Sequence, residues 1–128
     1  MEDWKIKIAV LWIVYESAAI AAFIVEQFIP GFMEEAQAIV TPELLLVMAI
    51  VWLIAPVMAF LSLTLKDLVN RWVNIIVGIV FAGLALIPVI DYLARQSAYY
   101  AGRILTGIVQ FVITALIVWY AWKSKQKA

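Results

Sequence analysis

The stretch "AVLWIVYESAAIAAFIV", residues 9–25, decides the fold. It is apolar almost throughout. With its neighbours it forms a run from about Ile6 to Ile29, more than the roughly 20 residues a helix needs to cross a bilayer. One acid, Glu16, sits at its middle, and that carboxyl is the strongest functional lead in the chain.

Composition points the same way. Of 128 residues, 67% are hydrophobic and 14% charged, whereas a soluble domain is about half apolar and a quarter charged. So short a chain cannot hide that much apolar surface from water, and lipid is the expected solvent. A net charge of zero argues against nucleic acid, whose binding needs a basic patch or stripe. With neither cysteine nor histidine, disulfides, thiolate or imidazole metal sites, bis-histidine haem and histidine-based triads are excluded. No metal and no cofactor is expected.

Four segments are long enough to span, at about 6–29, 42–64, 70–92 and 99–122. The first ends at Pro30-Gly31. The second opens on "TPELLL", where Thr41 suits an N-cap, Pro42 the first helical position and Glu43 the positive dipole end. Lys5, Lys7 and "AIA" at 19–21 give the first segment some likeness to a signal peptide. The run continues past that site and carries Glu16, so it is read as a retained span.

Lys5, Lys7, Lys66, Arg71, Lys123, Lys125 and Lys127 flank the spans on one side, against Arg95 and Arg103 on the other. The acids Glu26, Glu34, Glu35, Glu43 and Asp91 favour the lysine-poor side. Basic residues mark the cytoplasmic side, and an even number of crossings puts both termini there. Trp4, Trp72, Trp119, Tyr120 and Trp122 inside, with Tyr92, Tyr99 and Tyr100 outside, fit interfacial belts. The tail "KSKQKA" anchors this topology and favours anionic headgroups. The connection "PGFMEEAQAIV", 30–40, is either a short helix on the outer surface or an ordinary loop. The expected architecture is therefore all-α: an up-and-down integral membrane bundle of four transmembrane helices in one domain of the cell membrane.

Polar side chains inside a bilayer usually face other helices or water. On the fourth span Tyr99, Arg103, Thr106, Gln110 and Thr114 fall within an arc of roughly 80°, with Gly107 at its border. On the first, Trp12, Glu16, Ala19, Phe23 and Gln27 share a face. Counting 1.5 Å per residue puts Glu16 roughly 15 Å deep, near the bilayer middle and level with Gln110. The two are natural partners if the first and fourth spans are neighbours. On the third span Arg71, Asn74, Gly78, Ala82 and Ala85 align, and Gly78-xxx-Ala82 permits close backbone approach. Pro56 and Pro88 each remove a helical hydrogen bond and can bend their spans.

An ionised, unpaired Glu16 would cost several kcal/mol or more in hydrocarbon, so it should be protonated, paired or hydrated. It either serves a proton-coupled carrier or pins helix register through Gln110 or Thr106. The candidate intramembrane polar site is Glu16, Gln110, Thr106, Thr114, Tyr15 and Trp12. Asp91, Arg95, Tyr99, Arg103 and Glu26 are candidates for an outer vestibule, with Arg103 in reach of Asp91 or Glu26 and Asp91–Arg95 spaced to pair along one helix. Within "SLTLKDLVNRW", 62–72, Asp67 and Asn70 suit caps for the third helix. Lys66, Asn70, Arg71 and Asn74 are candidates for contact with a lipid headgroup.

"PVMAFLSLTLKD" (56–67), "NRWVNIIVGIVFAGL" (70–84), "ALIVWYAW" (115–122) and the opening "MEDWKIKIAVLW" together resemble a family of small four-helix membrane proteins of bacteria and archaea with no assigned function. The 30–41 connection is shorter than the family's. The resemblance implies an integral membrane protein and brings no activity, substrate or catalytic residue. A looser analogy is to small multidrug resistance transporters, which share four helices and a membrane-embedded glutamate in the first, without a matching motif around Glu16. The expected function is accordingly non-enzymatic: a structural, lipid-interacting or partner-binding bundle. The alternative is a proton-coupled small-molecule transporter or oligomeric channel built on Glu16. Expected partners are membrane lipids and, in an oligomer, further copies of the chain.

Overall fold

A computed structural model describes residues 3–124. Lys125 and Lys127, and with them most of the cationic tail, lie outside the described residues. The protein is an all-α bundle of four long helices: α1 (Asp3–Gln27), α3 (Pro42–Thr64), α4 (Asp67–Arg95) and α5 (Ala101–Lys123), with a short helix α2 (Phe32–Ile39) between the first two.

Local chemistry sets the ends. Past α1 the chain winds through turns in which Phe28 N donates to Val25 O and Ile29 N to Glu26 O. Pro30 has no N–H to continue the helix, and Gly31 takes the left-handed conformation at φ 81°. The Thr41 hydroxyl accepts from Leu44 N at 3.1 Å and Pro42 is the first residue of α3, as its sequence foretold. Helix α4 starts three residues earlier than expected. Its N-cap is Lys66, without a side-chain cap bond, so neither Asp67 nor Asn70 caps it. Asp67 instead pairs with Lys5 at 2.6 Å. The helix ends at Gln96, φ 53°, and a single 3-10 turn over Ala98–Tyr100 leads into α5. Pro56 and Pro88 sit inside unbroken helices.

Helix α1 is the hub. It packs on α3 along one side and α5 along another, while α4 packs on α5. The first and fourth long helices are therefore neighbours. Helices α3 and α4 share little contact, although only Leu65 and Lys66 separate them in sequence. Small residues set the α4–α5 approach. A Cβ on Gly78 would come within 2.7 Å of Val118 Cγ2, and one on Gly107 would collide with Val89 Cγ2. The aromatic centre is Trp12, Tyr15 and Phe81, with ring centroids 5.5–5.8 Å apart.

The distribution of polarity is the reverse of a water-soluble bundle. Ser62, Asn70, Asn74 and Thr114 are completely buried, while Leu46, Leu53, Phe60, Ile87 and Ile90 are each more than 60% exposed. Fully buried polar groups must be hydrogen-bonded, and an exterior this apolar suits hydrocarbon. All four long helices have the length and composition to cross a membrane.

Candidate functional site

The divergence of α3 from α4 and α5 leaves a chamber of about 600 Å³ beside α1. Helix α1 offers it Glu16, Ala19, Phe23 and Gln27 at successive turns, the stripe read from the sequence without Trp12. Helix α3 contributes Leu44, Met48 and Trp52, and α4 contributes Phe81. Arg103 and Gln110 line it from α5. Helix α2 covers it through Phe32, Met33 and Ala36, spaced to lie on one helical face. Phe23 meets Trp52 edge-on at 5.4 Å, joining α1 to α3 across the chamber.

Glu16 is half-buried and lines this space. Among the described residues no hydrogen bond or ion pair engages its carboxylate, and Gln110 shares the chamber without bonding it. The Gln110 amide approaches the Tyr15 hydroxyl, but its Oε1 is buried without a partner. Thr106 and Thr114 do not reach Glu16 either. The Thr106 hydroxyl donates to Arg103 O at 2.8 Å, and that of Thr114 to Phe111 O and Gln110 O at 2.9 and 3.0 Å. In apolar surroundings a hydroxyl satisfies itself on its own helix, so a polar stripe need not be a polar path.

Trp12 belongs to a separate cluster toward the lysine-rich end. Its Nε1 donates to Asn74 Oδ1 at 2.7 Å, as Ser62 Oγ does at 3.2 Å. Asn74 Nδ2 donates to Asn70 Oδ1 at 2.7 Å, and Asn70 Nδ2 to Ser62 O at 2.7 Å. Both amides, candidates for headgroup contact, are thus turned inward and occupied. Arg71 is buried as well, its guanidinium stacked 4.7 Å from the Trp72 ring and 5.0 Å from that of Trp122. Lys66 remains at the surface.

The outer candidates divide in two. Arg103 Nε donates to Glu26 Oε1 at 2.8 Å, the Tyr92 hydroxyl donates to Glu26 Oε2 at 3.2 Å, and the pair lines the chamber. Arg103 therefore pairs with Glu26, not Asp91. Asp91 and Arg95 pair at 3.3 Å on the surface, where Arg95 also comes within 3.9 Å of Glu35. Tyr99 is 69% exposed and takes no part in the chamber. What sequence reasoning missed is the cover and the far wall. The spacing of Phe32, Met33 and Ala36 carried the signal for α2, but nothing in α3, apolar all round, marked Met48 and Trp52.

No family model, curated protein or solved structure matches the chain.

Proposed function

We propose that the chain is a non-catalytic integral membrane protein that takes a small, largely apolar molecule into this chamber and holds the molecule's polar end at Glu16. One observation carries the proposal: a free carboxylate at mid-span opens onto an apolar chamber large enough for such a ligand. Concave, mainly apolar sites with a few convergent polar groups are where small molecules bind. A register pin would have a partner, and Glu16 has none among the described residues.

The lysine bias supports a reading with both termini in the cytoplasm and α2, which covers the chamber, on the outer face, among membrane lipids. We read the chain as a member of the four-helix family it resembles. The test is saturable binding of a small apolar probe to the protein in lipid nanodiscs. Glu16→Gln should keep the helicity and lose most of the binding. Unchanged binding in Glu16→Gln and Glu16→Leu would refute a role for the carboxyl.

A proton-coupled carrier is the second reading, favoured by an acid at mid-depth that no fixed charge neutralises. It predicts probe uptake into proteoliposomes driven by a pH gradient and abolished in Glu16→Gln. Binding without uptake leaves the static binding protein.

A further inference from the structure

Polar groups on three residues around the chamber have no bonding partner among the described residues. Among the described residues no hydrogen bond or ion pair engages the Glu16 carboxylate, which lines the chamber. Gln110 Oε1 and Arg103 Nη1 are buried without partners, on residues 6% and 9% exposed. A native fold rarely leaves buried polar atoms orphaned, and each one calls for an explanation. Arg71 Nε and Nη2 are also buried without a hydrogen bond, but they lie elsewhere, beside the Trp72 and Trp122 rings; these three belong to residues lining one space, and a ligand is their common explanation.

Their chemistry specifies its head. Glu16 and Gln110 Oε1 both accept, and the Tyr15 hydroxyl, which the Gln110 amide approaches, can accept as well. The chamber's charges are unbalanced toward acid. Glu16, Glu26 and Glu35 face it against Arg103, and Glu26 already neutralises Arg103. Glu35 is 71% exposed and lies 3.9 Å from Arg95, so the excess falls on Glu16, and Tyr15, Phe23 and Phe81, whose ring faces attract cations, line the same space. Building on the chamber as a binding site, we infer that it selects a protonated primary amine carried on an apolar body. The three N–H groups of the ammonium meet Glu16, Gln110 Oε1 and Tyr15, and the body lies between Phe23, Met48 and Trp52. Arg103 Nη1, a donor, receives a hydroxyl or carbonyl oxygen when the ligand has one near its amine. A quaternary ammonium has the charge without the N–H groups. It would leave Gln110 Oε1 orphaned and hold its charge a methyl group away from Glu16.

The experiment compares three probes with one body: phenylbutylamine, its N-trimethylated derivative, and phenylbutanol. Saturable binding to the full chain in nanodiscs is measured above that of empty nanodiscs. A plugged control carries Ala19→Cys modified with a bulky thiol reagent. The amine should bind roughly tenfold tighter than either analogue, the worth of one charge-assisted hydrogen bond, and should be displaced by the plug. Glu16→Gln should remove that advantage, while Gln110→Met, whose fold is checked by helicity, should narrow the gap between amine and trimethylated probe. If all three probes bind equally and the plug displaces them, the chamber is a binding site and the amine selectivity is wrong. If none binds saturably, the chamber reading itself falls.

Discussion

Replacing Asn74 with alanine is the sharpest test of the polar tie between α1, α3 and α4. Asn74 sits at the crossing of α1, α3 and α4. It accepts from Trp12 Nε1 at 2.7 Å and Ser62 Oγ at 3.2 Å, and donates to Asn70 O and Oδ1 at 2.9 and 2.7 Å. Ser62 keeps a second acceptor in Met58 O at 2.7 Å, so it loses little. The indole N–H of Trp12, completely buried, has no other acceptor among the described residues, and Asn70 Oδ1 loses its donor. A stranded buried polar group costs about 1–3 kcal/mol. Two of them put Asn74→Ala at about 2–6 kcal/mol. Trp12→Phe keeps an aromatic ring but removes the donor, leaving Asn74 Oδ1 to Ser62. Between helices in a membrane such a hydrogen bond is worth about 0.6 kcal/mol on average and about 1.7 at most. The coupling in a Trp12→Phe, Asn74→Ala double-mutant cycle should fall in that range. The assay is reversible unfolding in mixed micelles with rising dodecyl sulfate, followed by loss of helicity. A coupling indistinguishable from zero, or an Asn74→Ala cost under about 0.5 kcal/mol, would refute the network as an interhelical tie.

The glycines make a matched pair in the same unfolding assay. Gly107→Ala should destabilise by about 1–3 kcal/mol through overpacking against Val89, whereas Gly83→Ala, with nothing within 4 Å, should be neutral or better; equal effects would contradict the close α4–α5 approach. Arg103→Gln leaves Glu26, 16% exposed at its side chain, without a counter-charge and with only the Tyr92 hydroxyl bonded to it among the described residues, and should cost about 3 kcal/mol. Adding Glu26→Gln should recover part of that loss, and no recovery would mean the pair is not what Arg103 contributes. Lys5→Ala should change stability by less than about 1 kcal/mol, because its partner Asp67 is 58% exposed; a larger effect would show that the two-residue turn depends on this bridge.

Several features were legible in the sequence because they follow from local rules. Thr41, Pro42 and Glu43 carry their own helix start, and Pro30-Gly31 carries a helix end. Apolar length alone marked the spans, although α4 extends three residues beyond the expected limits at each end, since Asp67 and Arg95 tolerate the interface. Faces could be read from helical periodicity, which is why Glu16, Ala19, Phe23 and Gln27 line one chamber and Gly78 meets α5. Partners could not. Periodicity says which side chains share a face and not what stands opposite, so Glu16 and Gln110 were brought into one chamber without a bond. Asn70 and Asn74, four apart beside lysines, looked suited to headgroups, yet their amides bond each other, Ser62 and Trp12. The chamber itself arises because α3 and α4 diverge after their turn, a tertiary outcome that no single segment encodes.

That the chamber at Glu16 admits water-borne molecules, as the proposed binding requires, is tested most directly by thiol accessibility along α1. The native chain has no cysteine, so a single introduced thiol reports one place. Ala19 lines the chamber, and Ile20, the next residue, is 45% exposed on the apolar exterior. In nanodiscs, a small charged methanethiosulfonate should modify Ala19→Cys readily and leave Ile20→Cys almost untouched. Equal reactivity at the two positions, or reaction at residue 20 alone, would contradict it.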